Sequence, residues 1–214
     1  MHHDDFKFEP VRGLPEELPE DEHIIWQGAP NPLRLAKDAW KMNWIMGYFV
    51  LLAIWRVGVS SATVPLPTAM GHGIPLLLAG AVACAVVFVM AWVQARATVY
   101  TLTNKRVAMR IGAALTMTLN LPYVCIRNAE AQIRRTGFGT ISFELTGDTR
   151  FSHIMTWPHV RPWTITRTQP AFRAIPDAAR VARIFADAAE TRVSQPQIVK
   201  VDPAQGVSGP MAAE

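Results

Sequence analysis

The chain has 214 residues, a length that suits one domain with some additional elements rather than two large domains. Apolar residues make up 50% of the chain and charged residues 18%, which is below the quarter usual in globular proteins. The formal net charge is +4, but no helix-turn-helix, zinc-finger or RNA-binding pattern accompanies it, so nucleic acid is not expected as a partner. Two cysteines without paired histidines predict neither a zinc site nor a disulfide framework.

The start of the chain is acidic and rich in proline. The first 22 residues hold eight carboxylates against Lys7 and Arg12, and a brief apolar anchor follows at residues 24–26. Such a composition predicts a flexible acidic arm with a short apolar anchor over residues 1–30. Asn31 followed by Pro32 then predicts a helix start, because asparagine caps helices and proline favours their first position.

Two apolar runs come next. The first extends from residue 44 to about 63 with Arg56 inside it, and the second covers residues 74–93 without interruption. Each approaches the roughly 20 residues needed to cross a bilayer. Lysine and arginine flank the outer ends but are absent from the loop, which places both termini in the cytoplasm. Residues 31–95 are therefore predicted to form an interfacial helix and a two-span transmembrane hairpin in a bacterial inner or intracytoplasmic membrane.

Beyond Arg96 the apolar period changes from helical to alternating. Short alternating segments separated by glycine turns, such as residues 115–121 and 141–145, predict an antiparallel β-barrel or sandwich. An apolar stripe between residues 177 and 191 predicts a C-terminal helix. The fold class is thus membrane α+β: a transmembrane hairpin, a cytoplasmic β domain over 96–192 and a disordered tail over 193–214.

Two sets of residues resemble known families. The stretch from Tyr100 to Arg106, with Gly112 and residues 137–141, resembles the bacterial pleckstrin-homology (PH) domain, in which a Y-x-L-T-x-x-R strand follows a membrane helix. This resemblance implies a two-sheet barrel capped by one C-terminal helix. More narrowly, residues 22–30 and 159–173, with Leu18-Pro19 and the hairpin, resemble the PuhB photosynthetic-complex assembly proteins of purple bacteria.

The narrower resemblance implies a non-enzymatic factor that helps assemble the photosynthetic reaction centre and its core light-harvesting antenna. Its implied partners are reaction-centre and core-antenna membrane subunits and membrane lipid, with a homo-oligomer left open. The alternative is a membrane-tethered PH-like module that binds anionic lipid without a photosynthetic client. An enzyme or transporter is disfavoured, because two spans cannot form a transport path alone and neither contains a carboxylate.

No grouping of residues predicts a catalytic, metal or cofactor site. Neither span contains a histidine for pigment ligation, and His153 and His159 lack a third metal ligand. Arg56 either contacts a partner helix or extends to the periplasmic headgroups. The other basic and aromatic candidates face a protein or anionic lipid, or form an ordinary solvated surface. The candidates for partner or lipid contact are Arg56, Arg161, Trp163, Arg167, Phe172, Arg173, Arg180 and Arg183.

Overall fold

A computed structural model describes residues 10–113, 115–147, 151–164 and 167–194. Its strands are β1 (Ile24–Gly28), β2 (Val99–Thr103), β3 (Arg106–Ile111), β4 (Met117–Pro122), β5 (Ile126–Ile133), β6 (Gly139–Leu145) and β7 (Ala171–Ile175). Its helices are α1 (Pro32–Asp38), α2 (Met42–Ser61), α3 (Leu66–Gly71), α4 (Ile74–Ala97), α5 (His153–Thr156) and α6 (Ala178–Ser194). The predicted disordered tail lies outside the described residues from position 195 onward.

The strands form two antiparallel sheets, one in the order β1-β2-β3-β4 and the other in the order β5-β6-β7. Pro122 ends β4 without a backbone N–H donor, and a 3-10 turn at Tyr123–Cys125 redirects the chain into the second sheet. The prediction of antiparallel sheets with a C-terminal helix is confirmed. Of the predicted alternatives, barrel or sandwich, a closed barrel is not formed, because among the described residues no strand pairing joins the two sheets.

The core lies between the two sheets and α6. Tyr100 stacks on Phe172 with ring centroids 4.4 Å apart, and Phe172 meets Phe143 edge-on at 5.1 Å. From the helix, Val181 and Phe185 pack into the same cluster. The alternation predicted near residue 119 is confirmed in β4, where Leu119 and Leu121 are buried and Asn120 and Pro122 are exposed. The apolar stripe of α6 packs against the same core.

The pairing of β1 with β2 makes the helical segment an insertion within one sheet. Gln27 lies opposite Thr101 and Gly28 opposite Tyr100, although some 70 residues separate them in sequence. The predicted flexible arm over 1–30 is therefore wrong for β1, which is a strand of the domain. Local composition could not reveal this strand, because its partner lies beyond both apolar helices.

Residues just before β1 are also packed. Leu14 is buried, and the Glu22 side chain is 3% exposed. Its Oε1 accepts hydrogen bonds from Arg106 Nε and Thr103 Oγ1, each at 2.8 Å. The acidic composition of this segment predicts a solvated Glu22, but its carboxylate is paired with Arg106 of β3. The corrected domain contains these residues as well as the region predicted at 96–192.

The two long helices pack on each other and expose most of their apolar surface. Gly80 allows close approach, because a Cβ there would lie 2.7 Å from the Cβ of Phe49. In the most apolar 18-residue stretch of α2, 6% is buried, and in the corresponding stretch of residues 66–97, 17% is buried. Both helices are long and apolar enough to cross a membrane. Asn31 caps α1 by accepting from the Arg34 amide at 3.1 Å, as its sequence predicts.

Candidate functional site

Several elements meet where the helix pair joins the β domain, a region called the helix base below. It comprises α1, the turn at residues 39–41 that leads into α2, the end of α4, β7 and residues 157–164. The backbone N–H of Asn31 donates to the carbonyl of Ala174 at 2.8 Å. Leu35 of α1, Ala95 of α4 and Ala174 form a small buried cluster. The helix base is therefore a packed joint and not a linker.

His159 is the centre of a buried hydrogen-bond chain in the helix base. The backbone N–H of Arg173 donates to the Tyr100 hydroxyl at 3.2 Å, and that hydroxyl is hydrogen-bonded to His159 Nδ1 at 2.6 Å. The other ring nitrogen, Nε2, is hydrogen-bonded to Thr98 Oγ1 at 3.1 Å and lies 3.4 Å from Gln94 Nε2. The Thr98 hydroxyl completes the chain by donating to the carbonyl of Gln94 at 2.8 Å. This chain joins the last turns of α4 to both sheets.

The environment keeps the His159 ring neutral. Burial, followed by the positive charge of Arg173, lowers the pKa of His159 to about 3. Burial also raises the pKa of the Tyr100 hydroxyl above its usual value. Because His159 is fully buried, it is a structural joint without access to a substrate. No local sequence pattern predicts this role for His159, because its partners at positions 94, 98 and 100 lie far away along the chain.

Phe172 and Arg173 were predicted as contact residues on an accessible basic surface, and the structure buries both. Phe172 is fully buried in the aromatic core, and Arg173 is 6% exposed. Arg173 donates through Nη1 to the carbonyl of Pro158 at 3.1 Å, while its Nε has no hydrogen-bond partner. Both residues lie on β7, where every side chain is buried, so the alternation expected of an edge strand does not apply. Burial lowers the pKa of Arg173.

The other candidates from residue 161 onward are accessible but do not form one continuous series. Arg161 is partly buried and pairs with Glu130 Oε2 at 2.6 Å, which attaches it to β5. Trp163 is 89% exposed and has φ +67°, a left-handed conformation that is rare for a bulky residue. Arg167 is exposed in the same region. Arg180 and Arg183 are exposed on α6, which packs on β1, β5 and β6.

Arg56 lies near the end of its helix. It is exposed, and α2 continues for only five residues beyond it, to Ser61. At a rise of about 1.5 Å per residue, its Cα is about 8 Å from the helix end. An arginine side chain is long enough to extend most of the way to that helix end. Its role, contact with a partner helix or with lipid headgroups, stays a prediction.

An exposed apolar cluster beside the helix base escaped the sequence analysis. Ile154 and Met155 on α5 are exposed, and Trp157 directly follows the end of this helix. The Trp157 ring meets Trp40 edge-on, with centroids 4.5 Å apart, and Trp40 lies between α1 and α2. The contact places α5 next to the start of α2. The local sequence signal for this cluster is the apolar pair at residues 154–155.

Comparisons with known proteins identify the family. The bacterial PH domain model matches residues 45–189, which is more than half of the chain. The chain belongs to the bacterial PH domain family. A Rhodobacter capsulatus protein described as an uncharacterized 23.7 kDa protein in the puhA 5′ region is 43% identical over 204 residues, covering 93% of this chain and 94% of that protein. The family match confirms the predicted bacterial PH domain, and this relative from the puhA 5′ region agrees with the predicted resemblance to the PuhB proteins.

A solved structure adds a weaker likeness. The crystal structure of a DUF1696 family protein with a pleckstrin-homology domain from Shewanella loihica covers 43% of this chain and 71% of its own. The identity is 13% and the TM-score 0.29. The family match begins at residue 45 and so leaves out β1, the strand that precedes the helices in this bacterial PH-domain protein.

Proposed function

We propose that this bacterial PH-domain protein is a non-enzymatic membrane assembly factor for the photosynthetic reaction centre and its core antenna. The observation that carries the proposal is the relative of nearly equal length in the puhA 5′ region. The resemblance of residues 22–30 and 159–173 to the PuhB assembly proteins supports the same role. Within the described residues, no group of three His, Cys, Asp or Glu side chains is placed to hold a metal ion.

In this proposal α2 and α4 cross the bacterial inner or intracytoplasmic membrane as a hairpin. Their exposure supports this, because the core helix of a water-soluble domain would bury its apolar side chains in its own fold. Basic residues concentrate at the helix base: Lys37 and Lys41 precede α2, and Arg96 lies in the last turn of α4, 4.6 Å from the Trp92 ring. The loop between the helices has no lysine or arginine, and Arg56 is the single cation toward that end. The positive-inside rule then orients the PH domain and both termini toward the cytoplasm.

The outer face of α2 is the proposed contact for a client helix. Trp44, Tyr48, Leu51 and Trp55 are spaced four, three and four residues apart and are all exposed, so they form one aromatic-rich stripe. Gly47 leaves a shallow groove within it, since no atom lies within 4 Å of a Cβ built there. Helices in membranes associate through small residues that admit close approach.

The outer face of α4 differs in chemistry. One face of the helix carries exposed aliphatic side chains at Leu78, Val82, Val86, Val89 and Val93, while Phe88, Met90 and Trp92 are also exposed on α4. The aliphatic face suits contact with acyl chains. The asymmetry between the two helices therefore assigns the client to α2 and lipid to α4.

Gene deletion in the photosynthetic host tests the assembly role. Absorbance of isolated membranes would measure the reaction centre and core antenna, and we expect both to fall several-fold and to recover with the wild-type gene. The Gly47→Leu variant should fail to restore them, because the added side chain fills the groove. Gly58→Leu is the matched control, since Gly58 on the same helix is equally open. Immunoblots would verify equal amounts of both variants in the membrane.

The alternative is a lipid-binding module without a photosynthetic client. It predicts normal pigment complexes in the deletion strain, together with binding of the purified protein to anionic vesicles. A deletion strain with wild-type levels of both complexes would refute the assembly role. A defect restored equally by Gly47→Leu and Gly58→Leu would keep the assembly role but remove the client contact from the α2 groove.

A further inference from the structure

A basic cavity opens in the helix base, on the side of β5 and β6. Its volume is about 460 Å³, within the range of ligand pockets. Lys41, Arg134 and Arg173 contribute three cations to its lining, and Asp38 contributes one carboxylate. Asp38 Oδ1 is held by Arg134 Nη2 at 2.9 Å. The lining thus has a formal charge of +2, with its one acid already engaged.

Arg173 provides the second observation that points to a ligand. Arg173 is only 6% exposed, yet its Nε has no hydrogen-bond partner among the residues that the structure describes. Its Nη1 bond to the carbonyl of Pro158 uses another donor of the guanidinium group. A buried N–H without an acceptor is unfavourable, and more so when the group is charged. Arg173 lines the cavity, so an anion there would offset part of this uncompensated charge.

The position of Lys41 adds a conformational argument. Lys41 immediately precedes α2 and has φ +55°, in the left-handed region that lysine rarely adopts. This conformation holds the residue between α1 and α2, where it lines the cavity opposite β5. Polar side chains of Gln132 and Thr140 also line it and can donate to an oxygen ligand.

We propose that this cavity binds a phosphate group through Lys41, Arg134 and Arg173. Phosphate offers several strong acceptor oxygens to convergent cationic donors, as an arginine fork requires. The source of the phosphate rests on the membrane orientation in the proposed function. In that orientation the start of α2 lies at the depth of the cytoplasmic headgroups. The phosphate then comes either from an anionic lipid headgroup or from a free phosphate in solution.

The test uses the full chain purified in an uncharged detergent. One arm titrates inorganic phosphate and measures affinity by calorimetry. The other adds phosphatidylglycerol at a low mole fraction and counts bound lipids per chain by native mass spectrometry. We expect one saturable site, with the dissociation constant raised about tenfold by Lys41→Asn, since asparagine tolerates the left-handed conformation and removes the charge. Lys37→Asn removes the same charge on α1, outside the cavity lining, and should change binding less than twofold.

The outcomes separate the sources. Binding of phosphatidylglycerol alone assigns the cavity to a lipid headgroup, and binding of both ligands assigns it to the phosphate group in general. Arg173→Gln should abolish binding in either arm; if this variant fails to fold, the Lys41→Asn comparison still decides. Equal losses in Lys41→Asn and Lys37→Asn, or the absence of a saturable site, would overturn the proposal. These assays use purified protein, so their failure leaves the deletion test of the assembly role unaffected.

Discussion

The ion pair between Glu22 and Arg106 ties the N-terminal segment to the β domain, and its removal has a predictable cost. The carboxylate accepts two charge-assisted hydrogen bonds, from Arg106 and Thr103. Breaking a fully buried pair costs about 3–5 kcal/mol when one charge is left stranded. Here Arg106 is 29% exposed and keeps a contact with Asn120 at 3.3 Å, so its charge remains solvated. The expected loss for Glu22→Ala is therefore smaller, about 2 kcal/mol.

The neighbouring Asp21 is a matched control. Its carboxylate is 89% exposed and lies 3.5 Å from Lys105, a geometry that contributes less than about 0.5 kcal/mol. For a chain of this length, 1 kcal/mol shifts the melting temperature by about 2–4 °C. Thermal unfolding of the full protein in detergent should then show a drop of about 4–8 °C for Glu22→Ala and less than about 2 °C for Asp21→Ala.

The comparison distinguishes a packed N-terminal segment from a flexible one. In a flexible arm, as composition predicts, the two acids would be equivalent and neither substitution would change the melting temperature. Shifts of equal size for Glu22→Ala and Asp21→Ala would contradict the structural account. A difference that disappears in high salt would also contradict it, because a pair with one partner 3% exposed is only weakly screened.

Three further predictions concern the joint, the helix pair and the topology. The pKa of His159 is about 3 in the folded state and near 6.5 in the unfolded state, so its contribution to stability is complete above pH 6.5 and is lost as the pH falls. The free energy of unfolding should therefore drop by about 2 kcal/mol between pH 7 and pH 5. The His159→Gln variant should show a smaller drop over the same range. Gly80→Ala should destabilise the helix pair by about 1–3 kcal/mol through overpacking, whereas Gly58→Ala should be neutral or slightly stabilising, as thermal unfolding in detergent would measure. A reporter fused after Glu214 should be cytoplasmic and one inserted near Thr68 periplasmic; alkaline phosphatase activity from the C-terminal fusion would reverse the orientation.

Features that depend on neighbouring residues were predictable from the sequence. The cap at Asn31, the alternation through Leu119 and Leu121, and the apolar stripe of α6 each result from local geometry and one-sided burial. The lengths of α2 and α4 follow from continuous apolar runs. In all these cases the residues that define the element also carry its signal.

Features that depend on distant partners were not predictable in this way. β1 is short, and its pairing partner is separated from it by the whole helical insertion. Arg173 reads as an exposed cation in the sequence, but β7 is covered on both faces, so the side chain is buried beside the helix base. Likewise, the role of His159 depends on the end of α4 and on Tyr100, to which no local pattern connects it.

The insertion topology constrains how the helix pair and the PH domain act together. The helical segment leaves the sheet at Gly28 and returns at Val99, at the end where β1 and β2 are paired. Because both connections enter the same sheet, a rotation of the helices about a single flexible linker is not available to the domain. The Asn31–Ala174 hydrogen bond and the buried chain through His159 add restraints between α1, α4 and β7. A client helix bound to α2 would therefore be held in a defined orientation relative to the β domain and its basic cavity, and such fixed geometry is what a factor that positions one subunit for another requires.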